Sequence, residues 1–308
     1  MPELARVTQG HRDELAALGA ASRWVRNGSI DLHVLDYGGD KPPLLVLPGI
    51  TSPAITWDFI VAPLRDLVRP LVVDLRGRGL SDAGDGYRAG DFAGDAVQII
   101  RRLELERPLV LGHSLGARIG ASLAASGAVE LGGTILIDPP LSGPDRGPYP
   151  TSREAFRQQL REGYAGTTGD AVRAYYPLWP RSELLLRARW LGTCEEDAVL
   201  ATYDEFTRED FFDWWPAVPT PADLIRGGDS PVVTEADGAE AAAANPAAGR
   251  HAIPGAGHMV PWDAYDPFMR ALRSILNQHL AAAPAGHSDR ENRAVPTLRT
   301  SVRRAGRE

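Results

Sequence analysis

Cysteine is almost missing from this sequence: its 308 residues contain one, Cys194. A single thiol excludes an internal disulfide and any zinc site built on cysteines, and it reads as a small buried hydrophobe rather than a nucleophile. Long apolar runs are missing as well. The chain is 44% hydrophobic and 24% charged, the composition of a soluble globular protein, and no stretch could span a bilayer. A basic excess is also lacking. The formal net charge of −7 argues against nucleic acid, whose phosphates need a basic face. Neither nucleic acid nor membrane is therefore expected as a partner. Met1-Pro2-Glu3-Leu4 lacks the basic-then-apolar order of a secretory signal, so a cytoplasmic location is expected. No internal repeat is visible.

What is present is an alternation of strand and helix signals. Arg12 to Leu18 suggests a short amphipathic helix. Ser22 to Arg26 and Ile30 to Tyr37 carry alternating β-formers around Asn27-Gly28, a hairpin signal. Leu44-Leu45-Val46-Leu47, Pro70 to Asp74, Pro108 to Leu111 and Thr134 to Ile137 are apolar runs, as expected of strands buried on both faces. Helical stretches follow at Thr56 to Leu67, Asp91 to Leu103 and Ala117 to Ser126. From Ser142 to about Pro219 the strand signal disappears, and four of the seven tryptophans lie there: Trp179, Trp190, Trp214 and Trp215. Strands resume at Ala222 to Ile225 and Arg250 to Ile253, and a last helix runs from Tyr265 to Leu280 with Asp263 as its expected N-cap.

The reading is an α/β fold: a mostly parallel sheet flanked by helices, with a helical cap inserted in it. The expected divisions are a first part of the core over residues 1–141, a cap over 142–219 and a second part of the core over 220–280. Residues 281–308 have no periodicity and are expected to be a disordered tail.

One stretch carries chemistry. Gly112-His113-Ser114-Leu115-Gly116 reads G-x-S-x-G between a buried strand and a helix rich in small residues. That context makes it a nucleophile elbow, in which a strained turn lifts Ser114 above the sheet. A serine hydroxyl is a poor nucleophile alone and needs a base, and the base needs an orienting acid. Of the histidines, His258 ends a strand in the small-residue loop Gly255-Ala256-Gly257 and follows the serine in the required order. His113 is expected to point away into the core. For the acid, Asp138 and Asp229 both lie at the carboxyl edge of the sheet, and spacing alone separates neither. An oxyanion hole needs two converging N–H groups. Leu115 offers one and Ile50 the other, since Pro48 has none.

Leu47-Pro48-Gly49, Asp74-Leu75-Arg76-Gly77-Arg78-Gly79-Leu80-Ser81, the elbow and Gly257-His258 together resemble the α/β-hydrolase family, over roughly residues 20 to 280. Three longer stretches, Pro48 to Trp57, Ile137 to Pro144 and Gly257 to Asp263, resemble more narrowly the deformylases of aerobic nicotinate breakdown. These release formate and maleamate from N-formylmaleamate. That resemblance implies a serine hydrolase without cofactor or metal, with Ser114, His258 and Asp138 as its triad and a small, anionic substrate. The substrate's carboxylate would want an arginine, for which Arg118, Arg146 and Arg153 are candidates. Trp57 is a further candidate for substrate contact, whereas Arg76 and Arg78 are expected to brace the loop before Ser81. An esterase or lactonase with the same triad is the alternative among enzymes. A ligand receptor on a hydrolase scaffold is the alternative outside them.

Overall fold

The structure, a computed structural model, describes residues 7–282. Met1 to Leu4 and the tail beyond Ala282 lie outside the described residues. In chain order the elements are α1 (Gln9–Ala17), the hairpin β1 (Ala21–Asn27) and β2 (Ile30–Asp36), β3 (Pro43–Leu47), α2 (Asp58–Val61) and β4 (Arg69–Val73). There follow α3 (Ala89–Arg102), β5 (Leu109–His113), α4 (Leu115–Ser126) and β6 (Gly133–Ile137). Next come α5 (Arg153–Tyr164), α6 (Gly169–Arg173), α7 (Arg181–Trp190) and α8 (Glu196–Glu205). The chain then returns through β7 (Ala222–Gly227), α9 (Glu235–Ala244), β8 (Gly249–Ile253), α10 (Val260–Asp263) and α11 (Tyr265–Ala282).

The strands form one eight-stranded sheet in the order β1-β2-β4-β3-β5-β6-β7-β8. The pairs β1–β2 and β2–β4 are antiparallel and the others parallel. Every residue of β5 and β6 is buried, as parallel strands covered by helices on both faces require. Alternate side chains feed two cores. Leu45, Leu47, Val110 and Leu136 pack on one side, and Leu44, Val46, Leu109, Leu111 and Ile135 on the other. Phe92, Ala93, Ala96, Val97 and Ile100 sit three and four apart on α3 and turn one face of that helix into the first core.

The strand order fixes where a site can lie. From β3 the chain steps outward to β4, then returns across β3 to β5 on the other side. The carboxyl ends of β3 and β5 therefore open onto the crevice where such sheets bind ligands. Between Ile137 and Ala222 no strand occurs, and α5 to α8 fill that interval.

Four local expectations shift. The hairpin pairs Asn27 with Ile30, so its turn is Gly28-Ser29, with Gly28 at φ 58°. The helix expected from Thr56 to Leu67 is broken into the 3-10 turns Ala54–Trp57 and Ala62–Leu64 on either side of α2. Pro63 has no N–H to continue it. Asp263 does not cap α11. It closes α10, and its carboxylate instead accepts the Gly257 N–H at 3.0 Å. Ala281 and Ala282, placed in the tail on composition, complete α11.

Candidate active site

Register brings the polar groups together. His113 pairs with Ile137, and Ile137 with Ile225, so the residues that leave β5 and β6 do so side by side. The Ser114 N–H then donates to the Ile137 carbonyl at 2.8 Å, and the Asp138 N–H to the Ile225 carbonyl at 2.8 Å. Both residues have positive φ, 55° at Ser114 and 47° at Asp138. Side-chain residues rarely hold this conformation unless their surroundings enforce it. The elbow is enforced by its glycines. A Cβ on Gly116 would stand 1.8 Å from the Leu47 carbonyl oxygen, and one on Gly112 would stand 2.2 Å from that of Gly116.

Ser114 Oγ lies 2.9 Å from His258 Nε2, and His258 Nδ1 lies 2.7 Å from Asp138 Oδ2. A carboxylate only accepts, so Nδ1 carries the proton and Nε2 is left to accept from the serine. Asp138 is fully buried. Two further donors offset the loss of water around its charge: the Gly227 N–H on Oδ1 at 2.9 Å and the Ser230 hydroxyl on Oδ2 at 2.6 Å. Asp229, the other candidate acid, has an exposed side chain. Its N–H holds the Ala256 carbonyl at 2.9 Å and so steadies the loop that carries His258. The imidazole thus meets Asp138, while Asp229 lines the cavity above it.

His113 does more than fill the core. It is buried, yet it lines the cavity, and its Nε2–H donates to the His258 carbonyl at 3.0 Å. Burial pushes its pKa down to about 3, with the neighbouring His258 acting in the same direction. It therefore stays neutral, a fixed brace for the loop that carries His258. Tyr149, absent from the expected site, also faces it. This phenol is buried, lines the same cavity as Ser114 and sets its ring edge-on to His258 at 6.0 Å. Burial raises its pKa far above the usual range, so it stands as a neutral hydroxyl beside the serine.

The N–H groups expected to form the oxyanion hole belong to Ile50, which lines the cavity, and to Leu115. Leu115 begins α4 directly after Ser114, and neither N–H finds an acceptor among the described residues. The loop of Ile50 is held from outside by Arg78, whose Nε–H donates to the Ile50 carbonyl at 3.0 Å. Arg76 pairs with Asp95 at 2.7 Å. Both arginines thus brace loops.

Above Ser114 opens a cavity of about 390 Å³, lined on its far side by residues of α5, of the connection from α6 to α7, and of α7. The four residues expected to meet substrate do not line it. Arg118 is buried beneath, donating to the carbonyls of Pro140, Ser142 and Glu209. Arg146 is taken up by Asp210 and Glu240, and Arg153 by Asp204. Trp57 stands behind the site, packed on His113 and Trp262. The arginine that does line the cavity is Arg187, from the middle of α7.

An elbow serine, an imidazole and a buried carboxylate at the carboxyl edge of such a sheet define a class. The chain belongs to the alpha/beta hydrolase family, whose model matches residues 44–271, and it is a hydrolase. Among its relatives, N-formylmaleamate deformylase of Pseudomonas putida is 39% identical over 258 residues, 83% of this chain and 96% of that one. The crystal structure of N-formylmaleamic acid deformylase from Pseudomonas putida S16 matches with a TM-score of 0.77 at 36% identity, covering 82% of this chain and 100% of that one. A 2-(acetamidomethylene)succinate hydrolase of Mesorhizobium japonicum is 30% identical, over 83% of this chain and 95% of its own. Among the described residues no helix is long and apolar enough to cross a membrane.

Proposed function

We propose that this chain is a serine hydrolase that cleaves a small acyl amide through an acyl-enzyme, and that its substrate is N-formylmaleamate. The observation that carries the reading is the hydrogen-bonded line from Ser114 through His258 to Asp138, with Ser114 and His258 lining a cavity of about 390 Å³. The substrate rests on the likeness to the deformylases. The segment over 142–219 acts in this reading as a cap that limits the size of the acyl group.

The chemistry follows from the geometry. Ser114 Oγ attacks the formyl carbon while His258 Nε2 takes its proton, and Asp138 stabilises the imidazolium that forms. The new oxyanion meets the N–H groups of Ile50 and Leu115. The leaving nitrogen is flanked by a second carbonyl and departs more easily than that of an ordinary amide. It takes the proton back from His258 and leaves as maleamate. Water, deprotonated by the same imidazole, then attacks the formyl ester and frees formate. Every step uses side chains or backbone of this chain, and the overall change is addition of one water.

Formate release from N-formylmaleamate by the purified protein tests the reading. The N-acetyl analogue adds one methyl group and should be turned over about 10- to 100-fold less efficiently in a tight pocket. If formate appears no faster than background while an uncharged short-chain ester is cleaved well, the esterase reading replaces this one.

A further inference from the structure

Arg187 is a buried cation in the cavity wall with no carboxylate beside it. It is 3% exposed. Its Nη1–H donates to the Thr51 carbonyl at 3.2 Å, and its Nη2 donates to Thr51 Oγ1 at 3.1 Å and to Gln159 Oε1 at 3.3 Å. All of these acceptors are neutral. Its Nε–H is buried and meets none. The rings of Tyr176 and Trp179 lie 4.7 Å and 5.9 Å from the guanidinium carbon and exclude water from its flank. The chain's other arginines around the site are arranged differently. Arg76, Arg146 and Arg153 each have an aspartate partner, and Arg118 is spent on carbonyls below the cavity.

Taking a cation out of water without a counter-charge costs several kcal/mol, which a fold retains only where something offsets it. The cavity's own acids do not. Asp263 is held by the Gly257 N–H, and Asp229 forms no ion pair with Arg187. A guanidinium in a cavity wall with an unmet N–H is suited to a planar anion.

We propose that Arg187 is the anion-receiving group of this cavity. It meets a carboxylate carried on the leaving side of the substrate. The proposal rests on the reading of Ser114 as the nucleophile and sharpens it. Arg187 is tied to Thr51, the residue after Ile50, so the anion is held at a fixed place beside the oxyanion donor. The substrates are then small acyl amides whose amine portion carries a carboxylate a few bonds from the nitrogen, and neutral amides of the same shape are refused.

Protection of Ser114 from a neutral fluorophosphonate tests this without requiring turnover. In the wild-type protein maleamate should protect at concentrations about 10- to 100-fold lower than maleamide, its uncharged counterpart, as a hydrogen-bonded charge pair predicts. Arg187→Met should remove that difference, and Arg187→Lys, which keeps the charge, should recover part of it. Equal protection by the two compounds in the wild type overturns the proposal without recourse to any variant. If the wild type is not labelled at all, the nucleophile reading fails instead. Calorimetric titration of maleamate against maleamide then still decides the role of Arg187.

Discussion

Among the described residues, two places hold a serine, a histidine and an aspartate in line at the same spacing. Ser114, His258 and Asp138 stand 2.9 Å and 2.7 Å apart. Ser22, His33 and Asp74 also stand 2.9 Å and 2.7 Å apart, with the same imidazole nitrogens facing the same partners. The second carboxylate is no less well held: Asp74 accepts the N–H groups of Ala54 at 2.6 Å and Leu80 at 3.0 Å. What differs is around the serine. Ser22 lies within the edge strand β1, paired in register with Leu35, its side chain at the surface. No helix begins after it. Ser114 stands at a strained turn directly before α4 and lines a cavity together with Ile50. Three residues in line therefore make a base. In the proposed mechanism only the surroundings of Ser114 also provide a place for the substrate and for the charge that develops on it.

The comparison can be broken most severely at the two serines. Ser114→Ala should lower kcat by about 10⁴ or more, whereas Ser22→Ala should leave it within about twofold. Mass spectrometry after fluorophosphonate treatment should place the adduct on Ser114 alone. An adduct on Ser22 would show that alignment suffices after all.

The aspartates give the next contrast. Asp138→Asn should cost about 10⁴ in kcat, because the imidazole loses its orientation and the stabilisation of its cation. Asp74→Asn should instead lower stability by about 2–4 kcal/mol through the loss of buried charged hydrogen bonds, read as a shift of the denaturation midpoint. Asp229→Asn should do neither, its side chain being exposed. A large loss of kcat in Asp229→Asn would reverse the assignment of the acid.

A milder probe is Ser230→Ala, which removes one donor from Asp138 and should reduce kcat on the order of tenfold. An unchanged rate would mean that the remaining contacts hold Asp138 unaided.

A third contact between histidine and aspartate, at the far end of the sheet, sharpens the comparison by pH. Asp223 accepts from His251 at 2.7 Å and from His279 at 2.6 Å, with no serine in line. Burial would raise its pKa from the ordinary 3.8, but the two imidazoles outweigh that and lower it to about 2. The stability it contributes is complete above pH 4 and disappears as pH falls to about 2, a change of about 2 kcal/mol. Acid unfolding of Asp223→Asn should lose that part of its pH dependence, while kcat of the folded protein is unaffected. An unaltered acid profile would count against the pairing.

Much of this architecture was legible in the sequence for identifiable reasons. Buried parallel strands read as apolar runs, and the elbow has a local signature because Gly112 and Gly116 leave no room for a side chain. Ser114 and His258, which the structure brings together, could be marked from those patterns. Spacing did not separate Asp138 from Asp229, since both leave neighbouring strands at the same edge. The separation lies in β-sheet register and in which carboxylate is turned toward His258. Arg187 gave no signal. Arg181, Arg187 and Arg189 all occur on α7, and only the packing of that helix over the sheet decides which one faces inward. Tyr149 lies in an irregular connection after β6, where no periodicity points to a direction. Arg118 misled because closeness to Ser114 along a helix does not say which side of the helix the side chain takes.

Order along the chain has one more consequence, for synthesis rather than catalysis. Ser114 and Asp138 are near neighbours in sequence, but His258 follows the aspartate by 120 residues and arrives with the loop after the last strand. A growing chain folds from its N-terminus as it emerges. While the first six strands can already pair, the serine has no imidazole and the aspartate lacks its donors from Gly227 and Ser230. If Ser114 is the nucleophile proposed above, an incomplete chain on the ribosome, or a fragment cut before β8, carries an unactivated hydroxyl. On that reading reactivity is gained once, late, at the step that also completes the sheet with β8.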